Sequence, residues 1–246
     1  MNQMLTEEQL ARFNEDGFLL IKELVGPDQV QALNQELDNI HERMAVDEPE
    51  GVDISWETFD DPDAPQRIMQ LMHSELVSPT LNAILRSDTM LDIVEALLGP
   101  DISLYHSKLL PKCAGIGRPI PWHQDYAYWK QEGNEPKMLD CQLAISEATK
   151  ANGCIAYVPG SHKWGLREHE VVNEAFGVYL KGHYHPRDDA VEVEMAPGDG
   201  VFFGPLVIHG SAPNTSSNPR IMNTFAYNLT NNGQGQSREW LRGKPL

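Results

Sequence analysis

Pro121-Trp122-His123-Gln124-Asp125-Tyr126 is the stretch around which the rest of this 246-residue chain is organised. Side chains two positions apart on extended backbone point to the same side, so His123 and Asp125 are expected to converge on one point. The third member of the cluster is expected to be His209, in Gly204-Pro205-Leu206-Val207-Ile208-His209-Gly210. Two imidazoles and one carboxylate leave one face of a metal open, an arrangement that suits non-haem Fe(II).

Arg220 lies eleven residues after His209 and opens an apolar run. A strand that carries His209, a turn over residues 214–219 and a return strand would bring Arg220 back towards the metal. Its planar guanidinium can hold a carboxylate through two parallel hydrogen bonds. The spacing therefore predicts an anion-binding residue close to the metal.

Taken together, these residues resemble the Fe(II)- and 2-oxoglutarate-dependent dioxygenases, specifically the phytanoyl-CoA dioxygenase-like family. The resemblance rests on His123-x-Asp125, His209 and Arg220, and it extends over roughly residues 67–229. Further stretches that carry it are Asn152-Gly153-Cys154, Val158-Pro159-Gly160-Ser161-His162, Pro197-Gly198-Asp199-Gly200, and the segment from Arg86-Ser87 to Leu98-Gly99.

The resemblance implies an iron centre formed by His123, Asp125 and His209, with Arg220 anchoring the far carboxylate of 2-oxoglutarate. It implies O2 as the second co-substrate, and succinate and CO2 as co-products. The implied reaction is hydroxylation of an unactivated C–H bond of a small or mid-sized metabolite, with natural-product biosynthesis as the preferred setting. Halogenating relatives have a small residue in place of the carboxylate ligand, so Asp125 implies a hydroxylase rather than a halogenase, with desaturation, epoxidation and ring formation as open alternatives.

Other candidate contacts flank these motifs. Ser211 shares a strand face with His209 and is a candidate for the same carboxylate that Arg220 holds. Gln142 stands where many relatives have an aromatic residue, and it is a candidate polar contact to 2-oxoglutarate or substrate. Lys108 is either a contact to 2-oxoglutarate or to a substrate anion, or a strand-end lysine that reaches solvent. Candidate substrate contacts are Trp56, Tyr126, Tyr128 and His106, the last with a hydrogen-bonded core histidine as the alternative.

Helical patterns precede strand patterns along the chain. A capping-box sequence at 6–9 and Pro27 at a helix start predict helices in the first 100 residues. From Ile102 the pattern changes to short strands with Pro/Gly turns. This order predicts a mainly β protein with flanking α-helices, a double-stranded β-helix of the jelly-roll or cupin type. Residues 1–246 are expected to form a single domain, with helical support over 1–100 and the barrel core over 101–230.

Two segments of irregular composition are candidate covers for the barrel mouth. Residues 47–65 contain eight acidic residues, three prolines and no Lys or Arg. This segment is either a solvated loop or a lid over the active site. Residues 165–190 have little periodicity and are predicted to be a loop over the same mouth.

Composition restricts the partners. The net charge of −17 argues against nucleic-acid and anionic-membrane binding, and leaves a small molecule as the expected partner. No apolar run approaches the ~18 residues of a membrane span, and the N-terminus has no secretory pattern. Three widely spaced cysteines are typical of a reduced, cytoplasmic protein.

Two other interpretations remain open at this point. One is a cupin-like metal protein with non-oxidative chemistry, such as a zinc hydrolase, in which Arg220 at this spacing has no role. The other is a catalytically inert binding module, which we would expect to have lost at least one of the three metal ligands. Neither oligomeric state nor substrate can be predicted from the sequence.

Overall fold

The structure of the chain is a computed structural model that describes residues 5–57, 63–173, 177–182, 189–233 and 239–245. Helices occupy most of the N-terminal part. They are α1 (Glu7–Asp16), α2 (Pro27–Glu36), α3 (Ile40–Val46), α4 (Pro79–Leu85) and α5 (Asp88–Leu98), followed later by the short α6 (Tyr126–Trp129). Single 3-10 turns are Ser74–Leu76, Lys130–Glu132 and Ser161–Trp164. No helix within these described ranges is both long enough and apolar enough to cross a bilayer.

Side-chain caps explain where the N-terminal helices begin. Thr6 and Gln9 form the predicted capping box of α1, in which the Gln9 amide donates to Thr6 Oγ1 at 3.2 Å and Gln9 Oε1 accepts from the Thr6 amide at 2.8 Å. Ser78 and Ser87 accept hydrogen bonds from amides in the first turns of α4 and α5. The predicted helices in this part of the chain are thus confirmed.

The strands form two larger sheets and one hairpin, and all pairs are antiparallel. In chain order they are β1 (Phe18–Ile21), β2 (Ile54–Trp56), β3 (Ile68–Met72), β4 (Ile102–Lys112), β5 (Ile120–His123), β6 (Met138–Ala144), β7 (Ile155–Tyr157), β8 (His169–Asn173), β9 (Gly177–Leu180), β10 (Val191–Val193), β11 (Gly200–Phe203), β12 (His209–Ser211), β13 (Arg220–Leu229) and β14 (Glu239–Arg242). The major sheet has the order β1-β11-β6-β13-β4-β3-β2, with β14 also paired to β4. The minor sheet has the order β10-β7-β12-β5.

The two sheets pack face to face. Ile155 and Tyr157 of β7 form one apolar cluster with Phe203 of β11 and Met222 of β13. The opposite face of the major sheet packs on the helices, and there the Tyr227 hydroxyl donates to the Leu85 carbonyl at the end of α4. Successive side chains along each strand of the major sheet point alternately to the inner face and to the helix-covered face, and this alternation explains the layering. The predicted double-stranded β-helix with N-terminal helices is confirmed.

Both candidate cover segments contain more regular structure than the sequence indicates. Within 47–65, residues 54–56 form β2, which pairs with β3, whereas 58–62 lie outside the described residues. The prediction of a loop over 165–190 is wrong in part, because β8 and β9 form a hairpin there. The Tyr128 hydroxyl donates to the Val178 carbonyl at 3.1 Å and fixes this hairpin next to the barrel.

Candidate active site

The three predicted ligands meet at one point. One ligand atom from each of His123, Asp125 and His209 lies within 4.8 Å of the others, and all three residues are buried. Asp125 Oδ1 is 3.5 Å from His123 Nε2, and Asp125 Oδ2 is 3.6 Å from His209 Nε2. Two imidazoles and one carboxylate thus surround a common space at a cavity wall, and these are the ligand types of a mononuclear iron site.

The backbone brings these residues together in a different way from that predicted. His123 is the last residue of β5 and is paired directly with His209 on β12. Asp125 is not on extended backbone. It has φ −58° and ψ −30° and starts the helical turn of α6. The prediction of convergence is confirmed, but the strand argument for it is wrong, because a turn rather than an extended strand directs the carboxylate back to the imidazoles.

Backbone carbonyls fix the orientation of both imidazole rings. Nδ1 of His123 lies 2.8 Å from the Pro121 carbonyl, and Nδ1 of His209 lies 3.0 Å from the Val207 carbonyl. Each Nδ1–H therefore donates to a carbonyl, and each Nε2 keeps a lone pair that faces Asp125. A hydrogen bond from Nδ1–H to a backbone carbonyl is usual for histidines that bind a metal through Nε2.

Electrostatics favours the metal-binding protonation states. Burial, followed by the neighbouring His123, lowers the pKa of His209 to about 4. Burial works to raise the pKa of Asp125, but the neighbouring His209, His123 and the ammonium of Lys108 together hold this pKa below its usual range. A carboxylate at Asp125 and a neutral imidazole at His209 are the forms that bind a divalent cation.

Arg220 is fully buried, although the predicted hairpin does not bring it there. β12 belongs to the minor sheet and β13 to the major sheet, so the chain crosses between sheets after His209. On β13, Arg220 is 1% exposed and pairs with Lys112 at the end of β4. One guanidinium nitrogen, Nη1, donates to the Gly153 carbonyl at 2.6 Å, whereas Nε has no partner among the described residues.

Lys112 is a site residue that the sequence analysis missed. Its ammonium donates to Ser211 Oγ at 2.7 Å and to the Ala212 carbonyl at 2.6 Å. Burial, followed by the nearby positive charge of Arg220, lowers the pKa of Lys112 to about 6. Residues 106, 108 and 112 lie on the same face of β4, because side chains alternate along a strand. This alternation is the sequence signal that could have identified Lys112.

Two adjacent basic side chains, those of Lys112 and Arg220, are buried at this end of the site. Neither Lys112 nor Arg220 forms an ion pair with a carboxylate in the part of the chain that the structure describes. Burying charges without a counter-ion is unfavourable, and it is relieved when a carboxylate binds between them. Lys112 contacts Ser211, two residues beyond His209, so this pair of basic side chains lies at the opposite end of β12 from the metal cluster, although neither of the two lines the cavity.

Gly153 makes the close packing around this pair possible. Its φ of +77° is a left-handed conformation that glycine adopts without strain. A Cβ at this position would lie 2.3 Å from the Ala212 carbonyl oxygen and 3.1 Å from the Lys112 ammonium. The Asn152-Gly153-Cys154 motif thus lets the backbone supply a carbonyl to Arg220.

A second buried carboxyl lies next to the metal cluster and was not predicted. Asp140 on β6 is fully buried, and both its oxygens lack partners of normal hydrogen-bond geometry among the described residues. Burial, followed by the negative charge of Asp125, raises the pKa of Asp140 well above its usual value. A protonated Asp140 can donate to the Asp125 carboxylate and orient it, a role that outer-shell groups often have at metal sites.

The cavity beside the cluster has a volume of about 380 Å³, within the range of small-molecule sites. Five of the predicted contacts line it, namely His106, Lys108, Tyr128, Gln142 and Ser211. Within this set, Gln142 accepts a hydrogen bond from the buried Tyr157 hydroxyl at 3.2 Å.

The structure does not bring the other two predicted substrate contacts to this cavity. Trp56 packs against the main hydrophobic core, and the Tyr126 hydroxyl donates to the Asn134 carbonyl. Neither side chain is among the residues that line the cavity. Aromatic walls are instead supplied by Tyr105, Tyr128, Trp129 and Tyr179.

Comparison with known proteins agrees with the geometry. The family model "Phytanoyl-CoA dioxygenase (PhyH)" matches residues 13–222. Peroxisomal phytanoyl-CoA dioxygenase of Mus musculus is 30% identical over an alignment of 225 positions, gaps included, which covers 87% of this chain and 65% of that protein. The chain therefore spans just under two thirds of that relative. Ectoine dioxygenase of Bordetella parapertussis is 25% identical over an alignment of 256 positions, gaps included, which covers 98% of this chain and 81% of the relative.

Solved structures share the same architecture. The crystal structure of EctD from S. alaskensis with bound Fe has a TM-score of 0.76 at 22% sequence identity. The likeness covers 96% of this chain and 81% of that one. At this level of identity the comparison supports the fold, and the assignment of a function depends on the site residues.

Proposed function

Because the chain belongs to the phytanoyl-CoA dioxygenase family, we propose that it is an Fe(II)- and 2-oxoglutarate-dependent oxygenase that hydroxylates an unactivated C–H bond of a small metabolite. One observation carries the proposal. A ligand set for a divalent metal and a buried cation pair without an anion are joined through the three residues of β12, from His209 to Ser211. A keto acid with a second carboxylate can bind the metal with its keto-acid end and the cation pair with its second carboxylate.

The bound metal supplies oxidative chemistry in which 2-oxoglutarate is converted to succinate and CO2 while the substrate gains an oxygen atom. The residues of the chain perform the positioning. His123, Asp125 and His209 hold iron through Nε2 and carboxylate oxygens, with the rings fixed by carbonyls of residues 121 and 207. Arg220 and Lys112 anchor the far carboxylate of 2-oxoglutarate, and Ser211 contributes its hydroxyl.

Exclusion of water is the second contribution of the chain. Arg220 and Lys112 are 1% and 4% exposed, so the ion pair that they form with a carboxylate is poorly screened by solvent. Tyr128 and Trp129 line the cavity on the substrate side, where Tyr128 lies edge-on to His123 with a ring-centroid separation of 6.2 Å. These walls orient a substrate above the metal and limit side reactions.

Asp125 favours hydroxylation over halogenation, because a halide needs the coordination position that this carboxylate takes. The substrate is proposed to be a small or mid-sized metabolite, as suits the cavity volume, with natural-product biosynthesis as the preferred setting. The relatives named above act on phytanoyl-CoA and ectoine, and we extend neither substrate to this chain. The acidic charge and three unpaired cysteines support a cytoplasmic protein without a nucleic-acid partner.

The proposal is tested by anaerobic addition of Fe(II) and then 2-oxoglutarate to the purified protein. We expect the weak visible charge-transfer band of an iron–keto acid chelate, followed by succinate release when O2 is admitted. Mass spectrometry of metabolite pools incubated with the enzyme should then detect a product with one added oxygen atom. A zinc hydrolase or an inert binding module gives neither the band nor succinate. Absence of the charge-transfer band or absence of succinate release would overturn the proposal.

A further inference from the structure

Gln124 separates the metal ligands His123 and Asp125, and its peptide N–H donates to a histidine outside the metal cluster. The nitrogen of this N–H lies 3.1 Å from His169 Nε2, whereas His169 Nδ1 lies 2.8 Å from the Arg167 carbonyl oxygen. A ring that accepts at Nε2 and faces a carbonyl with Nδ1 is neutral and carries its proton on Nδ1. The Nε2 lone pair is thus directed at the peptide between two metal ligands.

This hydrogen bond controls the orientation of a buried peptide. Gln124 is fully buried, and His169 is the partner of its N–H within the described part of the chain. A buried N–H without an acceptor is unfavourable, so the peptide would rotate towards another acceptor if the ring were absent. The next residue is Asp125, whose helical backbone directs the carboxylate towards the imidazoles. Rotation of the peptide would therefore displace a metal ligand.

The side chain of Gln124 fixes the position of this residue but leaves the orientation of its peptide to His169. Its amide group donates to the carbonyls of Gly165 at 3.0 Å and Leu206 at 2.7 Å. Its Oε1 accepts a hydrogen bond from the Arg167 amide at 2.8 Å. None of these bonds involves the peptide N–H, so they do not replace the bond to the ring.

The ring of His169 is carried by a strand that packs close to the metal cluster. His169 is the first residue of β8 and is paired with Leu180 on β9. Leu180 is buried in an apolar cluster with Ile208, and Trp122 packs against the same cluster. Ile208 and Trp122 each precede a histidine of the metal cluster by one residue. The position of the ring is therefore set relative to the metal ligands.

Tyr128 holds the hairpin of β8 and β9 at a second point. Its hydroxyl donates to the Val178 carbonyl at 3.1 Å and accepts a hydrogen bond from the Val178 amide at 3.0 Å. These bonds do not involve His169, so the hairpin should stay in place when the side chain of residue 169 is changed. A variant at this position then reports on the ring itself.

We infer that His169 is a positioning residue of the iron centre, which accepts the Gln124 N–H and thereby holds the Asp125 turn in the conformation that binds the metal. The inference rests on the proposed function, because iron is the metal that this turn would hold. His169 is not among the residues that line the cavity, so its role is exerted through the peptide and not through contact with substrate.

The first test uses the metal-free wild-type protein. Long-range proton–nitrogen NMR correlation spectra distinguish the two neutral tautomers of histidine from the protonated ring, and the His169 signal is assigned by its absence in His169→Phe. We expect the neutral tautomer with the proton on Nδ1 near neutral pH, since Nε2 accepts a hydrogen bond. A protonated ring, or a proton on Nε2, would overturn the inference.

The second test measures Fe(II) affinity anaerobically by competition with a chromophoric chelator. His169→Phe keeps a ring but removes the acceptor, and we expect it to lower iron affinity about tenfold, as loss of an outer-shell group does. It should also shift the charge-transfer band formed with 2-oxoglutarate, because the carboxylate ligand moves. His169→Gln supplies an amide oxygen that can accept the same N–H, and it should restore most of the affinity.

His41 provides a matched control. Its Nδ1 accepts a hydrogen bond from the Ile68 amide at 3.0 Å, and it is half-buried like His169, but it is not part of the metal site. His41→Phe removes a bond of the same kind. It should therefore lower the melting temperature to an extent similar to His169→Phe while leaving iron affinity unchanged.

Three outcomes of the affinity measurement would overturn the inference and leave the proposed function intact. They are an unchanged iron affinity in His169→Phe, an equal loss in His169→Phe and His169→Gln, and a comparable loss in His41→Phe. A wild-type protein that binds no Fe(II) would remove both proposals.

Discussion

The metal cluster and the cation pair are joined by the three residues of β12, yet they are opposite in charge and are built by different parts of the fold. His123 and Asp125 are two residues apart, and His209 is the direct pairing partner of His123 in the minor sheet. Lys112 and Arg220 are brought together by the register between β4 and β13 in the major sheet. The site therefore lies between the two sheets, each of which supplies one end.

The two ends also differ in how their polar groups are satisfied. At the metal end, both imidazoles donate to backbone carbonyls and face a carboxylate. At the cationic end, two buried basic side chains adjoin one another and Arg220 Nε has no partner among the described residues. The difference teaches that the metal end is preorganised by the chain alone, whereas under the proposed function the cationic end is completed by a bound carboxylate.

Removal of the carboxylate ligand is the change with the largest expected effect. Asp125→Ala leaves two neutral imidazoles, which hold Fe(II) weakly and leave no negative charge to balance the metal. Loss of an outer-shell group already costs up to about 100-fold in metal affinity, so loss of a ligand should cost more. We expect no succinate above background and no retained iron after gel filtration, measured by metal analysis. Wild-type turnover in this variant would contradict the assignment.

Arg220→Ala should separate the two ends of the site. We expect about a 100-fold increase in the Kd for 2-oxoglutarate, because the variant leaves a buried carboxylate without its principal partner. Iron binding should stay within a few-fold of the wild-type value, as metal analysis can check. A normal 2-oxoglutarate affinity would mean that Lys112 alone anchors the far carboxylate.

Lys112 should give the co-substrate affinity a pH dependence. Its pKa of about 6 means that the free protein loses this proton as the pH rises above that value. A bound carboxylate stabilises the ammonium, so 2-oxoglutarate binding takes up a proton and weakens as the pH increases beyond about 6. Calorimetry in buffers of different ionisation enthalpy measures this proton uptake.

The matched variant for this prediction is Lys112→Met. It should increase the Kd for 2-oxoglutarate about tenfold near pH 6, where the wild-type lysine is partly charged, and should abolish proton uptake. Unchanged proton uptake in Lys112→Met would show that another group titrates on binding.

The smallest expected effect concerns Asp140, at the metal end. Asp140→Asn keeps a hydrogen-bond donor beside Asp125 and should change iron affinity by no more than a few-fold. Asp140→Leu removes that donor and should lower iron affinity about tenfold, in the lower part of the range for outer-shell groups. Competition with a chromophoric chelator measures both values. Equal affinity in the two variants would contradict an orienting role for Asp140.

The metal end could be predicted from the sequence because its determinants are short and local. The His123-x-Asp125 spacing, one distal histidine and a familiar arginine spacing were sufficient to name the three ligands and Arg220. The route was nevertheless wrong in two places, because Asp125 adopts a helical conformation and because β12 and β13 lie in different sheets. The family resemblance pointed to His123, Asp125 and His209 as one cluster, and the structure brings these three side chains together.

The rest of the site depends on information that a single sequence does not contain. Lys112 becomes a site residue only through its register with Arg220, and Asp140 only because β6 directs it into the barrel next to Asp125. The hairpin of β8 and β9 was missed because its strands are short and have no clear alternation. Trp56 was predicted to contact substrate from its acidic surroundings, but packing against the core determines its position.

The most direct test of the central claim compares two keto acids that differ only at the far end. The Kd values of 2-oxoglutarate and 2-oxopentanoate, which lacks the second carboxylate, are measured anaerobically with the Fe(II)-loaded wild type and Arg220→Ala. If the metal cluster and the cation pair hold the two ends of one molecule, the wild type should prefer 2-oxoglutarate by about 100-fold and the variant should lose most of that preference. An equal affinity of the wild type for both keto acids, or a preference that persists undiminished in Arg220→Ala, would contradict the account.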